Sequence, residues 1–234
     1  MTDPNEPLNE ALRGLHADDQ SGQGRAATPE TGPITAERLT AVEACAVSVR
    51  AWNASIIPGP LQLTRYAAAA IRTRVPTLMH DEVMRRAYAR AARVDSFLQR
   101  WASVDQVGQA QFIVGEAALR QPLANAQAHV AQLQHLVNLA GSNPRIDIRV
   151  MPEGRPTPGR SGQFALYGLR GAKLSRLGYL ESIVGGWYST RTADVARLHS
   201  AFDTMTEAAL SPDDSRAFLT EVATAWGRAP RHRS

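Results

Sequence analysis

The sequence predicts an α+β fold: a helical N-terminal half, a small sheet of about four short strands, and two C-terminal helices. Three observations predict it. Before residue 141, apolar residues recur every three or four positions in two long segments, the period of a helix with one buried face. After Gly141-Ser142-Asn143-Pro144 the period falls to two, and Ile146-Asp147-Ile148-Arg149-Val150 alternates as a half-buried strand should. Helical spacing then returns at Val195, Leu198, Phe202, Met205 and Ala209.

Each element follows in chain order. Residues 1–36 are rich in Gly, Pro, Asp, Asn, Gln and Ser, with too few apolar side chains to offset the entropy of ordering. They read as a disordered acidic leader. Thr35 is placed to cap a first helix carrying Leu39, Val42, Ala46, Val49 and Trp52 on one stripe. Pro58-Gly59-Pro60 interrupts the chain, a short helix follows from about Leu61 to Thr73, and Pro76 ends it. Met84, Ala87, Ala91, Val94, Leu98 and Trp101 mark one long helix. Leu119, Leu123, Ala126, Val130, Leu133, Val137 and Ala140 mark a second. Between them Gln111–Val114 reads as a short buried strand, and further strands are expected at Gln163–Tyr167 and Gly178–Ser182. Ser211-Pro212-Asp213-Asp214 supplies a cap, a first-turn proline and an acid for a last helix reaching Trp226. One effector-sized domain over residues 37–227 and a basic tail over 228–234 complete the organisation.

Composition narrows the functional classes. The 234 residues are 44% hydrophobic and 21% charged, ordinary for one globular domain. No apolar run approaches the roughly 20 residues that cross a bilayer, and the polar, acidic start is not a signal peptide. A cytoplasmic protein with no membrane contact is therefore expected. A single cysteine, Cys45, excludes an internal disulfide framework and a thiolate metal cluster. Residues 1–37 carry a net −5, residues 38–227 a net +6 and the tail +3. The basic residues, all arginine except Lys173, are dispersed rather than clustered, which gives little support to nucleic-acid binding.

Most catalytic signatures are missing. There is no phosphate-binding glycine loop and no H-E-x-x-H helix, and the six histidines form no i,i+4 pair. No metal and no cofactor is expected. Nor does any pair of short helices with a tight turn and a basic second helix stand out as a major-groove reader. The residues that do suggest a site lie at segment boundaries, where pockets gather. Trp52, Gln62 and Tyr66 flank the Pro58-Gly59-Pro60 break; Glu116 opens a helix; Tyr179 and Glu181 sit in a strand that Gly185-Gly186-Trp187-Tyr188 follows. Arg93 is a natural partner for a buried acid. Glu116 and Glu181 are the acid/base candidates if the protein is an enzyme, and both also fit structural roles, as helix-start acids and arginine partners do. The aromatics fit the walls of a cavity where helices meet sheet, or simply the core.

The order of motifs resembles a known family. Pro58-Gly59-Pro60-Leu61-Gln62 with Tyr66-Ala67, Arg90 with Arg93, Gly115-Glu116-Ala117-Ala118-Leu119-Arg120, Gln132-Leu133 with Leu136, Ile148-Arg149-Val150-Met151-Pro152, Tyr179-Leu180-Glu181, Gly185-Gly186 and Ala208-Ala209-Leu210-Ser211 follow one another over about residues 36–226. In this the chain is similar to the C-terminal effector domain of actinomycete regulators that carry an Xre-type helix-turn-helix, the WhiJ-like group. Pro60, Leu63 and Val94 depart from that family's usual residues. The resemblance implies a domain that senses a small molecule or engages a regulatory protein in development or in secondary metabolism, including antibiotic biosynthesis. Here it would stand alone, without direct DNA binding, and could form a homo-oligomer through its long helices. The alternative is a domain recruited as a cofactor-independent biosynthetic enzyme of cyclase or isomerase type.

Overall fold

A computed structural model describes residues 31–102, 108–169, 176–183 and 185–228. It has α+β architecture built on one seven-stranded mixed sheet. In chain order the elements are β1 (Thr31–Ile34), α1 (Ala36–Cys45), β2 (Ala46–Asn53), α2 (Thr64–Arg74), α3 (His80–Ala102), β3 (Ala110–Gly115), α4 (Glu116–Arg120), α5 (Ala126–Ser142), β4 (Ile146–Met151), β5 (Phe164–Leu169), β6 (Arg176–Ser182), β7 (Gly185–Ser189), α6 (Thr192–Ala208) and α7 (Pro212–Arg228). The strand order is β1-β7-β6-β5-β2-β3-β4.

Two of the six strand pairings are parallel and four are antiparallel. β2, β3 and β4 run parallel, and parallel neighbours require long crossovers, which α2–α3 and α4–α5 provide. β5, β6, β7 and β1 are joined antiparallel. One face presents Val49, Ala51, Phe112, Val114, Ile148 and Tyr167 to a core closed by Val42 of α1, Tyr66 of α2, Phe97 and Trp101 of α3, Leu133 and Leu136 of α5, and Leu219 and Val222 of α7. The opposite face presents Trp52, Ile113, Met151, Phe164 and Leu166 to Val195, Phe202 and Met205 of α6. The two faces are therefore covered very unequally. Between α6 and α7 the chain rounds the β4 edge: Leu210 N–H donates to the Val150 carbonyl at 2.9 Å, and Val150 N–H donates to Ser215 Oγ at 3.0 Å. Those bonds occupy backbone groups that an edge strand would otherwise expose.

The sheet is larger than the four strands expected. Two of the additional strands hid in other patterns. Residues 39–52 carry a helix-like stripe, yet α1 stops at Cys45 and the chain enters β2 with Ala46 at ψ 134°. Positions 42, 46, 49 and 52 satisfy a helical period, but Val47, Val49 and Trp52 prefer a pleated surface, and pairing with both β3 and β5 decides the outcome. The leader's expected end at residue 36 is also too late, because Thr31–Ile34 pair with Trp187 and its neighbours in β7. Residues 1–30 and the tail beyond Arg228 lie outside the described residues. The second long helix is two helices, α4 and α5, separated around Pro122; proline cannot donate to a continuing helix, and Asn125 starts α5 afresh by accepting from Ala128 N–H at 2.9 Å. The remaining elements lie close to their expected positions, including the final helix, where Ser211 Oγ accepts from Asp214 N–H at 3.1 Å.

Candidate functional site

Two polar regions flank the sheet, one on each face. The first lies under α1, α2 and α3. Glu43 of α1 accepts from Arg93 of α3 at 2.8 Å and from the Tyr167 hydroxyl of β5 at 3.4 Å. Burial, then the Glu43 charge, push the Tyr167 phenol well above its usual range, so it stays a donor at neutral pH. Arg90, one turn before Arg93, donates to Gln62 Oε1 at 2.8 Å; burial, then the Arg93 charge, lower its pKa. Tyr179 faces the same charges and is raised first by burial. Beyond it Arg74 pairs with Glu181 and donates to the Ser182 carbonyl at 2.9 Å. Glu181 also accepts from Gln163 at 3.1 Å, and Gln163 accepts from Asn53 at 3.1 Å.

The Pro58-Gly59-Pro60 turn is bolted to this region by buried amides. Gln62 Nε2 donates to the Ile57 carbonyl at 2.6 Å, and Ile57 N–H donates to the Tyr66 hydroxyl at 3.2 Å. Gln132 of α5 donates to the Leu61 carbonyl at 2.8 Å and accepts from Leu63 N–H at 2.7 Å. Residues that the motif order singled out thus satisfy the backbone of an interrupted segment, which buried polar groups require.

The expected site residues are partly gathered and partly scattered. Gln62, Tyr66, Arg93, Tyr179 and Glu181 share the helix-covered face. Tyr188 is on that face too, 1% exposed within the core. Trp52 and Trp187 are on the other face, because alternate residues of a strand point oppositely: Trp52 pairs with Phe164 in register and Trp187 with Leu180. Trp52 is a core residue whose Nε1 donates to the Gly159 carbonyl at 3.0 Å. Glu116 lies apart from Glu181, where it accepts from Glu153 N–H at 3.0 Å and pairs with Arg120 at 2.5 Å. The Glu153 N–H, then Arg120, hold its carboxyl below the usual range. The gap left between Glu43, Gly59, Arg90, Arg93 and Phe97 is about 10 Å³, room for one water at most. That gap is too small for the ligand cavity expected at this junction.

The larger concavity, about 430 Å³, opens on the other face, beside α6. Ser48 and Arg50 of β2, Gln111 of β3 with the adjacent Gln109, Gly168 of β5 and Arg176 of β6 line it, and His199 of α6 closes one side. Arg50 Nε donates to Gln111 Oε1 at 2.9 Å and its Nη1 to Asp203 at 2.7 Å, while its guanidinium stacks over Phe202 at 5.3 Å. His199 Nδ1 lies 3.4 Å from Arg50 Nη1. A guanidinium cannot accept, so Nδ1 takes that bond and the neutral ring carries its proton on Nε2. Burial, then Arg50 and Arg176, lower the His199 pKa, which keeps the ring neutral at pH 7. None of these cleft residues was singled out as a site from sequence. The one available signal was the alternation of Ser48 and Arg50 with Val49 and Ala51, which a helical reading of the segment concealed.

Among the described residues no group of three or more His, Cys, Asp or Glu side chains gathers as a metal site would, and no helix is long and apolar enough to cross a membrane. A family model described as "Domain of unknown function (DUF5753)" matches residues 36–221, from α1 through most of α7. No curated protein and no solved structure matches the chain.

Proposed function

The chain belongs to the DUF5753 family, and from that premise we propose that it is a regulatory effector domain that binds a small molecule and reports its presence to a protein partner. The resemblance to the effector half of actinomycete helix-turn-helix regulators is part of this proposal, as is a role in development or secondary metabolism. Direct reading of DNA is not. α6 and α7 are joined by a short turn, but each is 17 residues long and each spends its apolar face on the sheet or its helical cover. That is poor geometry for a recognition helix.

The observation that carries the binding reading over the enzymatic one is the engagement of both carboxylates available for proton transfer. Glu116 is committed to Arg120 and a backbone N–H, and Glu181 to Arg74 and Gln163. A general base needs a lone pair aimed at a space that substrate can enter; these two are aimed at arginines on separate elements. A cyclase or isomerase working through Glu181 and Glu116 is accordingly the weaker reading.

Thermal melts against a panel of small organic acids and natural-product intermediates test this. A ligand at 100 times its Kd adds about 2.7 kcal/mol, a rise in Tm of roughly 5–10 °C for a domain of this size, with no product formed. Adding a full-length helix-turn-helix relative and its operator should then shift the relative's DNA affinity only when ligand is present. Turnover that disappears in Glu181→Gln or Glu116→Gln would establish the enzyme instead. Silence in every melt and every mixture would remove the binding reading.

A further inference from the structure

We propose that the cleft beside α6 is an anion-binding site for a small molecule carrying a phosphate or carboxylate group, held by Arg50 and Arg176 with His199 and Gln111 as neutral donors. This rests on the small-molecule reading above and supplies its location and the chemical class of its ligand.

Three observations carry it. The first is the donor count. Arg50 uses Nε and Nη1 on Gln111, His199 and Asp203, and no described residue accepts from its Nη2. The Arg176 side chain makes no hydrogen bond or ion pair with any described residue, and it lines the same cleft. Gln111 gives its oxygen to Arg50 and keeps its amide N–H groups. With Nδ1 of His199 directed at Arg50, the Nε2–H is left to donate. A site with many donors and few free acceptors suits an oxyanion, which accepts only.

The second is that Arg50, the central donor, is fixed before any ligand arrives. Arg50 is held on three sides, by Gln111, by Asp203 and by the Phe202 ring. A guanidinium that does not have to be ordered on binding retains more of its interaction energy. The third is charge. Of the acids nearest the cleft, Asp203 is paired with Arg50 and Asp147 Oδ2 with Arg149, while Asp147 Oδ1 is buried without a partner; among the described residues Arg176 has no counter-charge. The cleft keeps an excess positive charge in a space of about 430 Å³, within the range of small-molecule sites. Gly168 contributes room: a Cβ there would stand 2.3 Å from Ser48 Oγ.

Titrating isotopically labelled protein with inorganic phosphate, tripolyphosphate and citrate, and following backbone amides at low and moderate salt, tests the site. The amides of Arg50, Gln111 and Arg176 should shift together, with tripolyphosphate binding more tightly than phosphate. Arg176→Ala, a change at an exposed residue, should weaken tripolyphosphate about tenfold or more, the loss of one charge-assisted contact. Arg216→Ala on α7 removes the same charge elsewhere and should change the affinity less than twofold. Equal losses in the two variants, or shifts spread over the whole surface, would mean unspecific attraction and overturn the site. So would a single-stranded oligonucleotide that occupies the cleft when tripolyphosphate does not. If a ligand found by the melts shifts residues of the helix-covered face and leaves the cleft unmoved, this inference fails while the regulatory reading stands. If no ligand of any class binds, both fail.

Discussion

At the scale of single residues, Glu43 is the carboxylate on which the helix-side cluster depends. Its side chain is 12% exposed and that of its partner Arg93 25%, and Arg90 adds positive charge near it. Removing one member of a buried pair leaves the other uncompensated, which costs 3–5 kcal/mol when burial is complete. With part of the pair in contact with solvent, Glu43→Gln should cost about 2 kcal/mol and lower Tm by roughly 4–8 °C. The Arg216–Asp213 pair is a fair comparison, since its side chains are 51% and 89% exposed. Asp213→Asn should change stability by less than about 0.5 kcal/mol. Urea denaturation of the two variants decides the matter: equal losses would show that the cluster contributes no more than a surface pair.

Among the elements, close approach of backbones sets what the sequence must supply. Gly115, between β3 and α4, has an ordinary φ of −66°, so backbone freedom does not explain it. A Cβ there would lie 2.2 Å from the Ala54 carbonyl oxygen in the segment that leaves β2, and that oxygen belongs to rigid backbone. Gly115→Ala should therefore cost more than about 2 kcal/mol by forcing apart two paired strands. Gly141, inside α5, has open space at its Cβ, and Gly141→Ala should stabilise by about 0.5–1 kcal/mol through helix propensity alone. Opposite signs in the two melts are the expected outcome. The same elements show why parts of the fold were legible and parts were not. α3 and the body of α5 were readable because each buries one stripe against one neighbour, so a local period records a tertiary fact. β2 was harder to read because its own residues fit both periods, and only its pairing as a central strand with β3 and β5 decides between them. On the helix-covered face, Gln62, Tyr66, Tyr179 and Glu181 could be named because they stand beside breaks in the pattern, and Arg93 because a buried acid needs a cationic partner. Arg50, Gln111, Arg176 and His199 could not, since only the order β6-β5-β2-β3 and the placement of α6 bring positions 50, 111, 176 and 199 to one cleft.

For the whole molecule, the buried histidines set how the fold responds to acid. His129, 0% exposed, donates from Nε2 to the Leu119 carbonyl at 2.8 Å and packs against the Trp226 ring at 5.1 Å. Its Nδ1 is buried with no hydrogen-bond partner, so protonation would place an unpaired N–H and a charge inside the core. Burial lowers the pKa of His129, of His135 and, together with the nearby arginines, of His199. Each folded pKa thus lies below the unfolded value of about 6.5, and between the two the unfolded chain binds more protons. Stability from these groups is complete above roughly pH 6.5 and declines as pH falls through that value. The carboxylates of Glu37 and Glu116, lowered by backbone hydrogen bonds first, carry the opposite charge but the same slope. Their contribution is present above about pH 4.3 and is lost as pH falls further. Acid should therefore weaken the fold in two stages, the first belonging to histidine. His129→Gln, whose amide can still donate to Leu119, should be less stable than the natural chain at pH 7.5 yet lose less between pH 7 and 5. Urea midpoints across that interval measure the difference, and parallel pH profiles for the two proteins would rule His129 out as a source of the first stage. Tripolyphosphate seated beside His199 would raise that ring's proton affinity, so in its presence the decline from His199 should begin to reverse while the His129 component stays unchanged.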